Sequence, residues 1–169
     1  MRHGPAEDDS ATGRDADRVL TAKGRDRVRS VAERLVADGE IPRVIVTSPL
    51  VRAAETARIV QHFVSAHASA SSSASSSRSQ APLDVRDELA GNDPAKGVAL
   101  VHELVRHSSD DTASVLLVGH QPDLSEIVLD LTKRSVAMDK AMVVGIDAVK
   151  GAYTLRFVLD PKTLDYLRT

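Results

Sequence analysis

The stretch VIVTSPLVR at residues 44–52 joins two kinds of secondary structure within a few positions. It opens with Val44-Ile45-Val46, a β-branched apolar run that is typical of a strand buried on both faces of a sheet. Ser48-Pro49 then indicates the start of a helix, because proline fits the first helical turn. A buried strand that leads directly into a helix predicts an α/β sheet. Arg52 follows the carboxyl end of this strand, where open α/β sheets bind their ligands.

The rest of the chain continues this alternation of strands and helices. Apolar residues at helical spacing or in short continuous runs predict helices at 21–38, 48–64, 94–107 and 122–131 and strands at 43–47, 83–85, 115–118, 141–146 and 153–159. We therefore expect an α/β fold, a three-layer α/β/α sandwich whose helices cover both faces of a mostly parallel central sheet.

A segment rich in serine and alanine interrupts the pattern at about residues 65–80. Ser65 to Ser79 holds nine serines and four alanines in fifteen residues. Such a composition buries too little apolar surface to offset the entropy of ordering. The sequence therefore predicts a flexible insertion within a single domain that spans residues 1–169.

The composition excludes several classes of protein. The chain has 22 Lys+Arg against 24 Asp+Glu, so it lacks the basic surface of proteins that bind nucleic acids or membranes. It has no cysteine, which excludes disulfides, a thiolate nucleophile and thiolate metal sites. No apolar run approaches the ~20 residues of a membrane span, and we expect no signal peptide before Arg2. We expect a cytoplasmic protein with neither nucleic acid nor membrane as partner.

Side chains suited to phosphate chemistry lie after two predicted strands and at the start of the chain. Arg52 and His120 each follow a predicted strand, and Arg2 and His3 stand at the start of the chain. Arginine binds phosphate oxygens in pairs and imidazole can attack phosphorus, so the four would suit phosphoryl transfer if these ends converge. Taken singly, each is more typical of a solvated chain end, a helix arginine paired with Glu55, or a turn histidine. Only their joint placement favours a site.

Three motifs carry a resemblance to a known family. They are RHG at 2–4, SPLVRA and ETA at 48–53 and 55–57, and VGHQP at 118–122. In this order they resemble the histidine phosphatase superfamily, which also contains the phosphoglycerate mutases. The short chain, RVLT at 18–21 and DPK at 160–162 resemble its small SixA-type phosphohistidine phosphatase branch. The resemblance implies a phosphoglycerate mutase-like fold from Arg2 to about Leu164.

The same resemblance implies a phosphatase that needs no metal or other cofactor. His3 would be the nucleophile and would become a phosphohistidine that water hydrolyses. Arg2, Arg52 and His120 would bind the phosphoryl oxygens, with His3 neutral and His120 protonated. The carbonyl of Gly4 would accept the second ring N–H of His3 and so fix its tautomer.

Two further residues are candidates for the site. Arg18 matches an arginine of the SixA branch and is either a further phosphate ligand or an ordinary loop arginine. Glu88 lies near the place where larger members carry an acidic residue, and is either a general acid or a solvated carboxylate. A leaving imidazole needs little help from an acid, whereas an alkoxide needs much, so Glu88 would matter chiefly for phosphate esters.

The start of the chain departs from the family pattern. Family members carry a short apolar strand directly before the RHG motif, in the centre of the sheet, whereas only Met1 precedes Arg2 here. We expect either an incomplete N-terminus, which we favour, or a sheet with a gap beside the nucleophile.

The function that the resemblance implies is removal of phosphate from phosphohistidine on a phosphotransfer protein in signal transduction. Phosphate or its analogues would bind in the site. One alternative is a phosphatase of small phosphomonoesters. An alternative from another class is a phosphate-binding interaction module without turnover.

Overall fold

The computed structural model describes residues 1–71, 81–91, 93–107 and 114–168 of the chain. The helices are α1 (Ala22–Ala37), α2 (Val51–Ser71), α3 (Pro94–His107) and α4 (Asp123–Thr132), and the strands are β1 (Val44–Thr47), β2 (Leu83–Val85), β3 (Val115–Val118), β4 (Val143–Val149), β5 (Ala152–Leu159) and β6 (Tyr166–Arg168). Short 3-10 turns occupy Asp15–Asp17 and Asp87–Leu89. In this described part of the chain, no helix has both the length and the apolar composition that a bilayer crossing requires.

The strands form two three-stranded sheets, one parallel and one antiparallel. β1 lies between β2 and β3 and is parallel to both, with Thr47 opposite Val85 on one side and Val118 on the other. The carboxyl ends of these strands therefore meet at one edge. β4, β5 and β6 pair antiparallel in sequence order. The predicted parallel arrangement thus holds for the sheet of β1, β2 and β3. Strand β6 was not predicted.

Residues 1–3 lie between the parallel sheet and the antiparallel sheet and form hydrogen bonds beside each of them. On one side, the amide of His3 donates to the carbonyl of Gly119 at 3.1 Å, just after β3. On the other side, the amide of Arg2 donates to the carbonyl of Met142 at 3.0 Å, just before β4. Residues 1–3 therefore form hydrogen bonds on both sides, where one of our two expectations was a gap in the sheet beside the nucleophile.

Helices cover both faces of the sheet. Ile45 packs in one apolar cluster with Val28 of α1 and Val60 of α2. Its neighbour Val46 points to the opposite face and packs in a cluster with Leu100 of α3. This alternation follows from the period of two in a strand. The prediction of a three-layer α/β/α sandwich is confirmed.

Helix α2 is longer than the sequence pattern predicts. We expected it to end near Val64, but it continues to Ser71 and so occupies the first part of the predicted insertion. Three alanines lie within Ser65–Ser71, and extending an existing helix costs little because only the first turn is expensive to form. The remainder of the predicted flexible insertion, residues 72–80, lies outside the described residues.

Candidate active site

Four of the predicted site residues meet where the parallel strands end. His3 follows the segment that pairs with β3, His120 follows β3 itself, and Arg52 lies in the first turn of α2 after β1. The ring centroids of the two histidines are 5.0 Å apart and the rings are tilted by 51°. His3, Arg52 and His120 are each less than a tenth exposed. Arg2 is adjacent to His3 in the chain and completes the group.

The His3 ring is fixed by the backbone. Its Nδ1 lies 2.7 Å from the carbonyl oxygen of Gly4. A carbonyl can only accept, so Nδ1 carries the proton and Nε2 keeps its lone pair. A Cβ at Gly4 would lie 2.6 Å from Cγ2 of Val28, so glycine is needed where this loop crosses α1. Thr56 accepts from the amide of Gly4 at 3.1 Å and donates to the carbonyl of Arg52 at 2.7 Å, which ties the loop to α2.

The His120 ring is hydrogen-bonded at one nitrogen only. Its Nε2 lies 2.8 Å from the hydroxyl of Ser48, a residue with no exposed surface. Gly91 has a φ of +91°, and a Cβ there would lie 3.2 Å from Cβ of His120, so the backbone packs closely behind the ring. The second ring nitrogen, Nδ1, is buried and has no hydrogen-bond partner among the described residues.

Both arginines of the site are held at their terminal nitrogens. Nη1 of Arg2 donates to the carbonyl of Met138 at 2.8 Å. Nη1 and Nη2 of Arg52 donate to Asp15, to its carbonyl at 2.8 Å and to its carboxylate at 3.0 Å. The Nε of each arginine is buried and, in the part of the chain that the structure describes, has no partner.

Three buried nitrogens of this group therefore have no partner in the described structure: Nε of Arg2, Nε of Arg52 and Nδ1 of His120. Buried polar atoms without partners are rare in folded proteins, and each costs free energy. Two of these three belong to permanently charged groups, so an anion with several oxygens would satisfy them best. A phosphoryl group has this chemistry. Within the described ranges, no three His, Asp or Glu side chains are grouped so that they could hold a metal ion.

Both histidines are neutral in this pocket. Burial, partly opposed by the hydrogen bond to Gly4 and supplemented by the positive charges of Arg52 and Arg2, lowers the pKa of His3 to about 4. Burial, together with the proximity of His3 and Arg52, lowers the pKa of His120 to about 3. The expectation of a protonated His120 concerns the ring as a phosphate ligand, and for that state it stays a prediction. The expectation of a neutral His3 agrees with the lowered pKa.

The lowered histidine pKa values predict a loss of stability at mildly acid pH. An unfolded histidine has a pKa of about 6.5, so between pH 6.5 and 4 the unfolded chain binds more protons at these positions than the folded chain. The free energy of unfolding should therefore fall as the pH is lowered from 7 to 5, by about 2 kcal/mol for each histidine. Urea unfolding at both pH values measures this, with His3→Ala expected to show a smaller decline than the wild-type chain. An equal decline in both proteins would contradict the assignment.

Arg18 contacts the site through Asp15. Its Nε donates to Oδ1 of Asp15 at 2.8 Å and its Nη1 donates to the carbonyl of Glu7 at 2.9 Å. No contact with His3 or His120 occurs among the described residues. Direct phosphate binding by Arg18 stays a prediction.

Glu88 pairs with Arg86. Its Oε1 accepts from Nη2 of Arg86 at 2.9 Å, and Arg86 also approaches Glu103 of α3 at 3.4 Å. The hydrogen bond from Arg86 lowers the pKa of Glu88, which favours the form that cannot donate a proton. Its role as general acid stays a prediction that this geometry does not support.

Sequence reasoning missed Asp15, Ser48, Thr56 and Met138 as partners of the four central residues. Ser48 and Thr56 lie within the matched motif, so their position was a usable signal. Asp15 and the carbonyl of Met138 had none, because they belong to loops whose path only the fold fixes. Glu55, expected as the alternative partner of Arg52, instead accepts from the amide of Leu20 at 2.6 Å.

Comparison with known proteins agrees with this fold and arrangement. Residues 1–72 match the model of the histidine phosphatase superfamily (branch 1). An uncharacterized protein of Picosynechococcus sp. is 35% identical over 150 residues, which are 86% of this chain and 81% of that protein. The protein histidine phosphatase SixA, solved in complex with tungstate, superposes with a TM-score of 0.77 at 25% identity over 98% of this chain and 97% of its own.

A more distant likeness shows the fold alone. The mycobacterial glucosyl-3-phosphoglycerate phosphatase, solved with inorganic phosphate, has a TM-score of 0.63 at 19% identity over 91% of this chain and 92% of its own. Phosphate or a phosphate analogue is thus bound in two solved proteins of this fold. The motifs, the family model and the near-complete superposition on SixA agree, and the chain belongs to the histidine phosphatase superfamily, in its SixA-type branch.

Proposed function

We propose that this chain is a metal-independent phosphatase with His3 as nucleophile, and that it acts on phosphohistidine carried by a phosphotransfer protein. One observation carries the proposal: the His3 ring, whose Nε2 holds a free lone pair, lies 5.0 Å from the His120 ring and near the charges of Arg2 and Arg52. Arg2, Arg52 and His120 each keep a buried nitrogen that has no partner in the described structure. A phosphoryl group bound to these three residues would lie in reach of the nucleophile.

The reaction has two steps. The Nε2 lone pair of His3 forms a bond to phosphorus while the bond between phosphorus and the leaving nitrogen of the substrate breaks, and its electron pair stays on that nitrogen. If the other ring nitrogen of the substrate carries a proton, the leaving group departs as neutral imidazole. Water then attacks phosphorus, the bond to Nε2 breaks, and phosphate leaves with His3 neutral again. The guanidinium groups of Arg2 and Arg52 stabilise the charge on the phosphoryl oxygens in both steps.

Neither Glu88 nor Asp15 is available as an acid in the described structure, and this supports the choice of substrate class. Glu88 is engaged by Arg86 and is ionised, and Asp15 is engaged by Arg52 and Arg18. An ester would leave as an alkoxide and would need a proton, whereas an imidazole does not. A phosphoramidate is therefore the substrate that this set of side chains suits best. The likeness to the protein histidine phosphatase SixA supports the same class.

A small phosphomonoester is the second candidate. It is favoured by the likeness in fold to a glucosyl-3-phosphoglycerate phosphatase. A phosphate-binding module without turnover would need the same unpaired nitrogens, but no nucleophile.

Phosphate release from three substrates tests these candidates. The substrates are a phosphohistidine-bearing phosphotransfer protein, a phosphoserine peptide and p-nitrophenyl phosphate, each in excess chelator. We expect turnover that survives chelation and a kcat/KM at least about a hundredfold higher for the phosphohistidine protein. A higher kcat/KM for an ester would assign the second candidate instead. Binding of orthovanadate without release from any substrate would overturn the enzymatic proposal.

A further inference from the structure

The Arg52 guanidinium is fixed along one edge only. Its two terminal nitrogens both donate to Asp15, one to the carbonyl and one to Oδ2, while its Nε is buried and has no partner in the described structure. A guanidinium is rigid and planar, so holding the terminal nitrogens also determines where Nε points. The group that binds the terminal edge therefore aims the edge that is left for the phosphoryl oxygens.

Asp15 is itself held in place from the other side. Its Oδ1 accepts from Arg18 at 2.8 Å, whereas its Oδ2 accepts from Arg52 at 3.0 Å, so each carboxylate oxygen has its own arginine. Arg18 is anchored in turn by its bond to the carbonyl of Glu7. These bonds form a chain that leads from Glu7 through Arg18 and Asp15 to Arg52.

The exposure of these side chains separates positioning from folding. The side chain of Asp15 is 65% exposed, whereas that of Arg52 is 8% exposed. An exposed carboxylate adds little to stability through an ion pair, because water and salt screen it. Desolvation raises the pKa of Asp15, but the hydrogen bonds from Arg18 and Arg52 outweigh it and lower that pKa overall. Asp15 is therefore ionised at neutral pH and is not an acid there. Its substitution should leave the fold intact.

We infer that Asp15 positions Arg52 for binding of the phosphoryl oxygens, and that Arg18 acts on the site through Asp15 and not as a phosphate ligand. The kinetic part of this inference rests on the proposed phosphatase function, whereas the binding part does not. Asp15 is a positioning residue, because it touches Arg52 and not the reacting atoms.

The test uses Asp15→Ala, Arg18→Ala and the double variant. Asp17→Asn is the matched control, because Asp17 lies on the same 3-10 turn but pairs with Arg14. Orthovanadate affinity is measured by calorimetry, and kcat/KM is measured for p-nitrophenyl phosphate and phenyl phosphate. We expect Asp15→Ala to lose about tenfold to a hundredfold in both affinity and kcat/KM, with Asp15→Asn between it and the wild type. The control should stay within about twofold, and all variants should keep the wild-type Tm.

The double variant separates the two possible roles of Arg18. If Arg18 acts through Asp15, Arg18→Ala alone loses activity, but adding it to Asp15→Ala costs nothing more. Losses that multiply would mean that Arg18 binds phosphate directly, and would overturn that half of the inference.

Two other results would overturn the role of Asp15. Tighter or unchanged vanadate binding in Asp15→Ala would mean that Asp15 competes with phosphate for Arg52 or has no effect on it. A much larger loss for phenyl phosphate, the poorer leaving group, would make Asp15 a proton donor. If the wild-type chain hydrolyses nothing, the proposed function fails, while the vanadate measurements still decide whether Asp15 positions Arg52.

Discussion

His3→Ala should abolish phosphate release, with kcat reduced at least about a thousandfold, because the variant has no atom that can take the phosphoryl group. The effect should fall on kcat far more than on binding. Arg2, Arg52 and His120 keep their unpaired nitrogens in the variant, so orthovanadate affinity should change by less than about tenfold. This split between turnover and binding is what distinguishes a nucleophile from a residue that merely shapes the pocket.

Phosphate release and labelling after a denaturing quench at alkaline pH measure this prediction together. The wild-type chain mixed with radiolabelled substrate should yield a phosphoprotein that is stable in base and labile in acid, and His3→Ala should yield none. His102→Ala is the matched control, because that imidazole lies on the surface, 2.8 Å from the hydroxyl of Tyr153. Turnover by His3→Ala within tenfold of the wild type would mean that water or another group attacks phosphorus directly.

The placement of His120 and Arg52 at strand ends could be predicted from the sequence, because the signal is local. A continuous apolar run marks each of β1 and β3, and parallel strands bring their carboxyl ends to one edge whatever the rest of the chain does. The bounds of α3 were equally local, since Pro94 marks its first turn.

The partners of the site residues could not be predicted from the sequence. Arg52 and Asp15 are 37 positions apart, and Arg2 and the carbonyl of Met138 are 136 apart. Such pairs depend on loop paths that no periodicity encodes. The charge of His120 has the same origin, because its pKa depends on burial and on neighbours from other elements. The short strand β6 lacks enough residues for alternation to be detected.

Arg52 should be the most sensitive residue for binding of the phosphoryl group. Its side chain is 8% exposed, and its Nε is one of the three unpaired nitrogens. Truncation to alanine removes that donor and also leaves the carboxylate of Asp15 with Arg18 as its remaining arginine partner. The site would then lose a positive charge while it keeps the negative charge of Asp15, and both conditions oppose binding of an anion.

We therefore expect Arg52→Ala to lower kcat/KM about a thousandfold and to abolish measurable orthovanadate binding. Arg52→Lys keeps the charge but not the planar pair of donors, so it should recover only part of the loss. Adding Asp15→Ala to Arg52→Ala should also recover part of the lost kcat/KM, because the negative charge of that carboxylate is then gone. Arg58→Ala, an exposed arginine on the same helix, is the control and should behave like the wild type. Full activity in Arg52→Lys would show that the site needs a positive charge here but not the geometry that Asp15 imposes.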